Sequence, residues 1–372
     1  MELCDLAPAY VRAIAPYPPG KPIGELAREM GLDPADIVKL ASNENPLGPS
    51  PLALDAVRAC LSELARYPDG AGYELKAALA AKYGVAMHQI VLGNGSNDVL
   101  EFAARAFLAP GASAVFSQHA FAVYPLVVQA VGARAIEVPA RDFGNDPAAL
   151  IEAIEDDTRI LFLANPNNPT GTVLAPDALL ALLEAVPRSV LVVLDEAYYE
   201  YLDAAVAPPS VAWLARFPNL MITRTFSKAY GLAGLRVGFA LCHPDVADML
   251  NRVRQPFNVS TAAQVAAQAA LADTDHLARS VAINRAGMAQ ITAGLARLGL
   301  DWIPSYGNFL SFRIGNATAM YQRLLRRGVI VRPIANYGLP EYLRVSIGLE
   351  QENERFLTAL AGALEEQRKE SA

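Results

Sequence analysis

Cysteine and histidine are scarce in this sequence, with three and four residues respectively among 372. The cysteines (Cys4, Cys60 and Cys242) lie far apart and form no CxxC pair, so neither a disulfide framework nor a zinc site is expected. The histidines do not cluster with the cysteines, and we interpret each of them as structural or exposed. The sequence therefore predicts no metal site.

Charged residues are also few, at 19%, and the net charge is −7. This acidic balance argues against a protein that binds nucleic acid, although it leaves room for a local cationic pocket. No uninterrupted apolar run reaches about 18 residues, so no membrane span is predicted. The start, MELCDLAPAYVRAI, lacks a basic segment followed by a long apolar run, so we expect no signal peptide and a soluble, cytoplasmic protein.

Apolar residues are abundant, at 53%, which suffices for a large core. Seven short apolar runs, several of them separated by helical patterns, are typical of strands buried in a parallel sheet. The runs span 90–93, 113–117, 133–138, 159–164, 189–195, 220–223 and 236–242, with helices predicted at 97–109 and 175–186. This pattern predicts an α/β fold with a mostly parallel, seven-stranded sheet flanked by helices. Too little chain joins the last two runs for a helical crossover, so we expect one antiparallel edge strand.

The sequence pattern changes near residue 258, which predicts two domains. The strand-rich residues 41–258 are predicted to form a large domain. Beyond them, a long alanine-rich helical segment is followed by short strands, so 259–372 is predicted to form a smaller α+β domain. Residues 1–40, which are proline-rich and then helical, are predicted to form an arm that packs with the small domain.

Two of the predicted strands end in polar residues. The segment LVVLDEAYYEY (191–201) places Asp195 directly after one strand, and ANPNNPTG (164–171) places asparagines after another. Because ligands of open α/β sheets bind at the carboxyl ends of the strands, both segments are candidates for one site. Alone they leave alternatives open, since Asp195 also suits a helix cap and the second segment a rigid turn. A nucleotide hydrolase would need a GxxxxGK[ST] loop, which the sequence lacks.

The segment LGNGSND (92–98) predicts an anion site. It has the pattern of a strand, a glycine loop and a helix start, so the free backbone N–H groups of Gly95, Ser96 and Asn97 would attract a phosphate with the help of the helix dipole. A dinucleotide-binding G-x-G-x-x-G sequence would need a third glycine, which is missing here.

The stretch TRTFSKAYGLAGLRVGF (223–239) groups hydroxyls with Lys228 and Arg236 after a further apolar run. Taken in order, a glycine loop, NPNNPTG, DEAY and a serine–lysine pair with an arginine eight residues after the lysine resemble the fold-type I aminotransferases that use pyridoxal 5'-phosphate (PLP). The resemblance covers nearly the whole chain. Within that group, the segments SNENPLGPSP, RYPDG, GVIVRP and YLRVSIG are most similar to the histidinol-phosphate aminotransferases.

This resemblance implies a role for each polar residue around a bound PLP. Lys228 would form the Schiff base, and Asp195 would bond the pyridine nitrogen so that the ring accepts electrons. Asn168 and Tyr198 would hydrogen-bond the phenolic oxygen, and Phe121 would stack on the ring, although it also suits an ordinary core position. The implied catalytic residues are Lys228, Asp195 and Tyr198. The implied phosphate-binding residues are Gly95, Ser96, Asn97, Thr225, Ser227 and Arg236.

Tyr67, in RYPDG, matches a tyrosine that in relatives reaches the PLP phosphate of the neighbouring subunit. The resemblance therefore implies a homodimer with shared active sites. The alternative is a tyrosine that packs locally within its own chain.

The resemblance also implies a substrate site formed by Tyr17, Asn43, Arg332 and Arg344. The arginines would hold anionic groups. The implied reaction is that of L-histidinol phosphate with 2-oxoglutarate, giving imidazole-acetol phosphate and glutamate. An aromatic amino acid aminotransferase and a phospho-amino-acid decarboxylase of the same fold stay open as alternatives. A PLP-binding regulator of transcription would need a DNA-binding module, for which no basic segment exists.

Overall fold

The computed structural model describes residues 3–17 and 19–371. The first two residues of the predicted arm, its residue 18 and the last residue of the predicted small domain lie outside the described residues. Within the described part of the chain, no helix is both long enough and apolar enough to cross a membrane.

The strands of the described residues form three sheets. They are β1 (Val38–Lys39), β2 (Ile90–Gly93), β3 (Ser113–Ser117), β4 (Arg134–Val138), β5 (Thr158–Ala164), β6 (Leu191–Asp195), β7 (Leu220–Thr225), β8 (Gly238–Cys242), β9 (Trp302–Ile303), β10 (Phe309–Arg313), β11 (Val329–Ile330), β12 (Arg332–Pro333) and β13 (Tyr342–Ser346). The large sheet has seven strands in the order β2-β8-β7-β6-β5-β3-β4, a smaller sheet has the order β12-β13-β10-β9, and β1 pairs with β11.

The α-helices of the described residues surround these sheets. They are α1 (Ala9–Arg12), α2 (Ile23–Met30), α3 (Pro51–Cys60), α4 (Tyr73–Tyr83), α5 (Ser96–Phe107), α6 (Val123–Ala130), α7 (Pro147–Glu152), α8 (Pro176–Ala185), α9 (Ser210–Trp213), α10 (Pro244–Val253), α11 (Thr261–Ala272), α12 (Thr274–Arg297), α13 (Ala317–Arg326) and α14 (Glu350–Ser371). Side-chain caps at Ser50, Asp146, Ser260 and Asn316 fix the starts of α3, α7, α11 and α13, because each accepts a backbone N–H bond from the first turn.

The predicted mostly parallel, seven-stranded sheet is confirmed. The expectation of an antiparallel strand at the edge was wrong, because β8 lies between β7 and β2 and is antiparallel to both. Because β8 is antiparallel to both of its neighbours, β2 and β7 run in the same direction. The carboxyl end of β2 therefore lies at the same edge of the sheet as the carboxyl ends of β5, β6 and β7. The edge strand β4 is also less buried than its apolar run predicts, since Arg134 and Glu137 are exposed.

The large sheet has an apolar core on each face. Along β6, Val192 and Leu194 belong to one core and Leu191 and Val193 to the other, as the alternation of a strand requires. Helices α5, α6 and α10 cover the second face. The two-sided core holds the strands rigidly, so the polar residues at their carboxyl ends have fixed positions.

The remaining elements pack around the four-stranded sheet. Side chains of α12, α13 and α14 form a separate core with β10, β11 and β13. Leu26 and Ala27 of α2 pack with Leu325 and Ile330. Helix α11 behaves differently, because its alanines join the core of the large sheet. We therefore propose that the division between the domains lies after α11 rather than at residue 258.

Candidate active site

A cavity of about 410 Å³ lies at the carboxyl ends of the strands of the large sheet, under the arm and the four-stranded sheet. It is lined by residues from the whole length of the chain, among them Tyr17, Asn43, Ser96, Asn97, Phe121, Asn168, Asp195, Tyr198, Thr225, Ser227, Lys228, Arg236, Arg332 and Arg344. Sequence reasoning selected all of these residues. Of its other two candidates, Gly95 lies directly beside the cavity against Arg236, and Tyr67 does not line it.

One end of the cavity has the donors of an anion site. Helix α5 begins at Ser96, and its first backbone N–H groups have no partner within the helix. Arg236 donates from Nη1 to Oγ of Ser227 (3.2 Å), which turns its guanidinium toward the same end. Gly95 has φ of 80°, and a β-carbon at this position would lie 2.6 Å from Nη2 of Arg236. The missing side chain lets the helix start and the guanidinium converge on one anion.

Lys228 lies in the middle of the cavity wall, where its Nζ donates to the carbonyl of Ser42 (3.2 Å). Burial, followed by the nearby positive charge of Arg344, lowers the pKa of Lys228 to about 8, and Glu44 opposes this shift. The amine is therefore partly neutral near physiological pH, and a neutral amine is the form that attacks an aldehyde.

Asp195 ends β6 and is held by two hydroxyls. Tyr124 donates to its Oδ2 (2.9 Å) and Thr223 to its Oδ1 (2.9 Å). Burial raises the pKa of Asp195 despite these bonds, because the charged carboxylate is removed from water. A protonated ring nitrogen in the cavity would offset that penalty by pairing with the carboxylate.

Tyr198 and its neighbours form a hydrogen-bond network on the floor of the cavity. The Tyr198 hydroxyl accepts from Nδ2 of Asn43 (2.9 Å) and from Nδ2 of Asn168 (3.2 Å). Burial raises the pKa of Tyr198 to about 12, so the phenol is protonated at neutral pH and can donate to a ligand. Arg344 donates from Nη1 to Oδ1 of Asn168 (2.5 Å), which connects this network to the substrate side.

The two candidate substrate arginines are neighbours across a strand pair. Arg332 in β12 is the pairing partner of Arg344 in β13, so the side chains leave the sheet side by side. Both are buried, and the Arg332 guanidinium lies 5.2 Å from the ring centre of Tyr17. Arg344 donates to the carbonyl of Ala41 (2.9 Å), while its buried Nε has no partner among the described residues. Two adjacent guanidinium groups form the local cationic pocket that the sequence allowed.

The two aromatic candidates occupy different places. Phe121 lines the cavity and meets Tyr124 edge-on, with ring centres 5.9 Å apart. Tyr67 is 83% exposed and stacks on Phe257 at 4.9 Å. Tyr67 does not line the cavity of its own chain, so a role for Tyr67 in PLP binding requires a second subunit.

Sequence reasoning missed four residues that act on the site. Tyr124 and Thr223 hold Asp195, and Ser42 accepts from Lys228. Tyr337 is buried beside Tyr17 and close to both arginines, and its pKa is raised to about 12, first by burial. Thr223 could have been found from strand alternation, since it stands two residues before Thr225. Tyr124, Ser42 and Tyr337 lie in other segments of the sequence, and only the fold brings them to the site.

The donor sets fit a pyridoxal phosphate, a group that the resemblance implies and that the structure can test. The phosphate matches the start of α5 with Arg236, the ring nitrogen matches Asp195, the phenolic oxygen matches Tyr198 with Asn168, and the aldehyde matches Lys228. Each of these polar groups of the protein therefore has a matching atom or group on PLP. Among the described residues no cluster of histidine, cysteine, aspartate or glutamate could hold a metal ion.

Comparisons with known proteins agree with this geometry. The class I and II aminotransferase family matches residues 35–360. Histidinol-phosphate aminotransferase 2 of Nitrosospira multiformis is 64% identical over 98% of this chain and 93% of its own, and histidinol-phosphate aminotransferase of Methylobacillus flagellatus is 62% identical over 96% and 97%. The crystal structure of histidinol-phosphate aminotransferase from Sinorhizobium meliloti in complex with pyridoxal-5'-phosphate has a TM-score of 0.89 and 30% identity, covering 96% of this chain and 97% of its own. The chain therefore belongs to the class I and II aminotransferases and, within them, to the histidinol-phosphate aminotransferase family.

Proposed function

We propose that this protein is a PLP-dependent transaminase that converts L-histidinol phosphate and 2-oxoglutarate into imidazole-acetol phosphate and L-glutamate, a step of histidine biosynthesis. The observation that carries the proposal is the pairing of Arg332 with Arg344 on the wall of the cavity that contains Lys228. Two adjacent cations suit a phosphate monoester, whose charge is close to two. The names of the similar proteins agree with this substrate.

The residues of the cavity divide into those that hold the cofactor and those that hold the substrate. The start of α5, Thr225, Ser227 and Arg236 hold the phosphate of PLP, and Asp195 keeps the ring nitrogen protonated. When bound, PLP supplies an electron sink that allows the Cα–H bond of the amino donor to break. Tyr198 and Asn168 orient the ring through its phenolic oxygen.

Lys228 holds the cofactor between turnovers and moves the proton during them. Because its pKa is lowered to about 8, its Nζ is neutral in part of the molecules near physiological pH and can accept the proton that leaves Cα. Arg344 supports this role electrostatically, since its charge disfavours a charged Lys228.

Arg344 serves both halves of the reaction. It holds the phosphate of histidinol phosphate together with Arg332 and Tyr17, and later the carboxylate of 2-oxoglutarate or glutamate. Two observations support this role: its buried Nε has no partner among the described residues, and its Nη1 donates to Asn168, which also bonds Tyr198. A single arginine can alternate in this way because both groups present planar pairs or triads of oxygens.

The protein acts in the cytoplasm as a homodimer with shared sites. Tyr67 stacks on Phe257, which is also exposed, and Leu61 and Leu64, which precede Tyr67 closely in the sequence, are exposed as well. In the dimer, this surface meets the partner, and Tyr67 reaches the PLP phosphate of the neighbouring site.

The test is a half-reaction screen of the PLP-loaded protein, followed by cofactor absorbance, with histidinol phosphate, phenylalanine and tyrosine as amino donors. Histidinol phosphate should convert the cofactor fastest. A preference for phenylalanine or tyrosine would contradict the proposal and favour an aromatic aminotransferase. Release of carbon dioxide from a phosphorylated amino acid would favour a decarboxylase.

Borohydride reduction should attach a pyridoxyl group to Lys228, and Lys228→Ala should prevent both labelling and turnover. Lys369→Ala, in the exposed last turn of α14, should change neither.

A further inference from the structure

A second polar cluster lies behind the PLP site, on the opposite face of the large sheet. Arg224 donates two hydrogen bonds, from Nε (3.0 Å) and from Nη2 (2.7 Å), to Oε2 of Glu196. The two side chains are only 4% and 0% exposed. Neither residue lines the cavity, so the cofactor and substrate sites give them no role.

Strand alternation places this pair directly behind the residues that bind the cofactor. Asp195 ends β6 and Glu196 follows it, with its backbone N–H bonded to the carbonyl of Thr223 (2.9 Å). Arg224 stands between Thr223 and Thr225 in β7. Because successive side chains point to opposite faces, Arg224 and Glu196 point away from the cavity while their neighbours point into it.

The surroundings hold the pair in one geometry. The Arg224 guanidinium lies 3.6 Å from the ring centre of Tyr199 and 5.0 Å from that of Tyr83. Glu200 is a second carboxylate in this cluster, and burial raises the pKa of both glutamates while the charge of Arg224 opposes the rise. The guanidinium is thus enclosed by rings and carboxylates from several elements.

An ion pair of this kind contributes little net stability, because the desolvation of both charges offsets their attraction. Its two hydrogen bonds nevertheless join the ends of β6 and β7 on the face away from the cavity, in addition to the backbone bond from Glu196 to the Thr223 carbonyl and the side-chain bond from Thr223 to Asp195 on the cavity side. We propose that the Arg224–Glu196 pair is a positioning device for the cofactor site, which sets the alignment of Asp195 at the end of β6 with Thr223 and Thr225 at the end of β7.

The test uses a double variant, Glu196→Leu with Arg224→Met, which removes both charges of the pair and keeps similar volumes, so that neither partner stays buried as a lone charge. The matched control is Ile222→Ala. Ile222 lies in β7 two residues before Arg224 on the same face, fully buried, so its truncation removes packing without changing a charge. Four quantities are measured: the melting temperature of the cofactor-free protein, the dissociation constant for PLP, and kcat and KM with the preferred amino donor.

The double variant should bind PLP about tenfold more weakly and lose about tenfold in kcat, with KM for the amino donor little changed, because misalignment acts at the reacting centre. Ile222→Ala should lower the melting temperature yet keep the PLP dissociation constant and kcat within about twofold of the wild type. The proposal is overturned if the double variant matches the wild type in both the PLP dissociation constant and kcat, or if Ile222→Ala shows the same losses in these two quantities. Should the double variant not fold, Arg224→Lys, which keeps the positive charge but cannot donate the two bonds from Nε and Nη2, decides by the same criteria.

Discussion

At the scale of single residues, the chemistry depends on how the cavity shifts the pKa of a side chain from its ordinary value. Lys228 is the clearest case. Its pKa is lowered from 10.5 to about 8, so its neutral fraction rises with pH through a range where an ordinary lysine stays charged. The rate at which the cofactor-free protein attaches PLP should therefore rise with pH with a midpoint near 8, measured by stopped-flow absorbance.

The same measurement tests the cause of the shift. Arg344→Gln removes a positive charge beside Lys228 and should move the midpoint to higher pH, since the charged amine is then less disfavoured. Arg313→Gln is the matched control, because Arg313 lies in the neighbouring strand β10 but is exposed and paired with Glu341. A wild-type midpoint near 10.5 would show that burial does not activate Lys228.

Asp195 gives a second residue-scale prediction. Asp195→Asn keeps the hydrogen-bonded shape next to Tyr124 and Thr223 but loses the charge that holds a proton on the ring nitrogen. The variant should retain PLP and lose orders of magnitude in kcat, because an unprotonated ring accepts electrons poorly. Bound PLP is measured by absorbance and kcat by a coupled assay. Undiminished turnover would remove Asp195 from the ring nitrogen.

Arg332 decides between the candidate substrates. Arg332→Ala should lower kcat/KM for histidinol phosphate. The loss should correspond to roughly 2–5 kcal/mol of transition-state binding free energy, by analogy with truncated buried charge pairs. The value for phenylalanine should change much less, since this amino acid has no phosphate. The comparison of the two donors is the internal control, and Arg313→Ala controls for the loss of an exposed arginine. Equal losses with both donors would argue against a phosphate contact.

At the scale of elements, the start of α5 is the proposed binding site of the PLP phosphate. Gly95→Ala would force a methyl group to within 2.6 Å of Arg236 and should weaken PLP binding, measured as the dissociation constant. Gly111→Ala is the matched control, because Gly111 also has positive φ (92°) but no heavy atom within 4 Å of the added carbon. Both variants share the backbone strain of an L-residue at positive φ, so only the contact with Arg236 differs. Equal effects on PLP affinity would show that strain alone is responsible.

At the scale of the whole molecule, the proposed shared site predicts complementation between subunits. Tyr67→Phe should weaken PLP retention modestly, because only one hydroxyl contact across the proposed dimer would be lost. A mixed dimer of a Lys228→Ala subunit and a Tyr67→Phe subunit should recover part of the activity, since one of its two sites then has both Lys228 and Tyr67. Sizing at micromolar concentration measures the assembly, and a monomer there would refute the shared site.

The sequence by itself determined most of the fold and most of the candidate site. Alternating apolar runs and helices predict a parallel sheet, and the segments around Asp195, Asn168 and Lys228 follow strands whose carboxyl ends meet at one edge. These features are local, because each depends on residue type and spacing within a short segment. Most of the sixteen predicted site residues are implied by the resemblance to the PLP aminotransferases, and fourteen of them line a single cavity.

Only the tertiary structure decided features that join distant segments. The place of β8 inside the sheet, the packing of α11 on the large sheet and the hold of Tyr124 on Asp195 depend on which elements become neighbours. Arg332 and Arg344 stand twelve residues apart in the sequence, and only the pairing of β12 with β13 makes them adjacent. Strand pairing and packing are set by the burial of apolar surface across the whole chain, which no short segment contains.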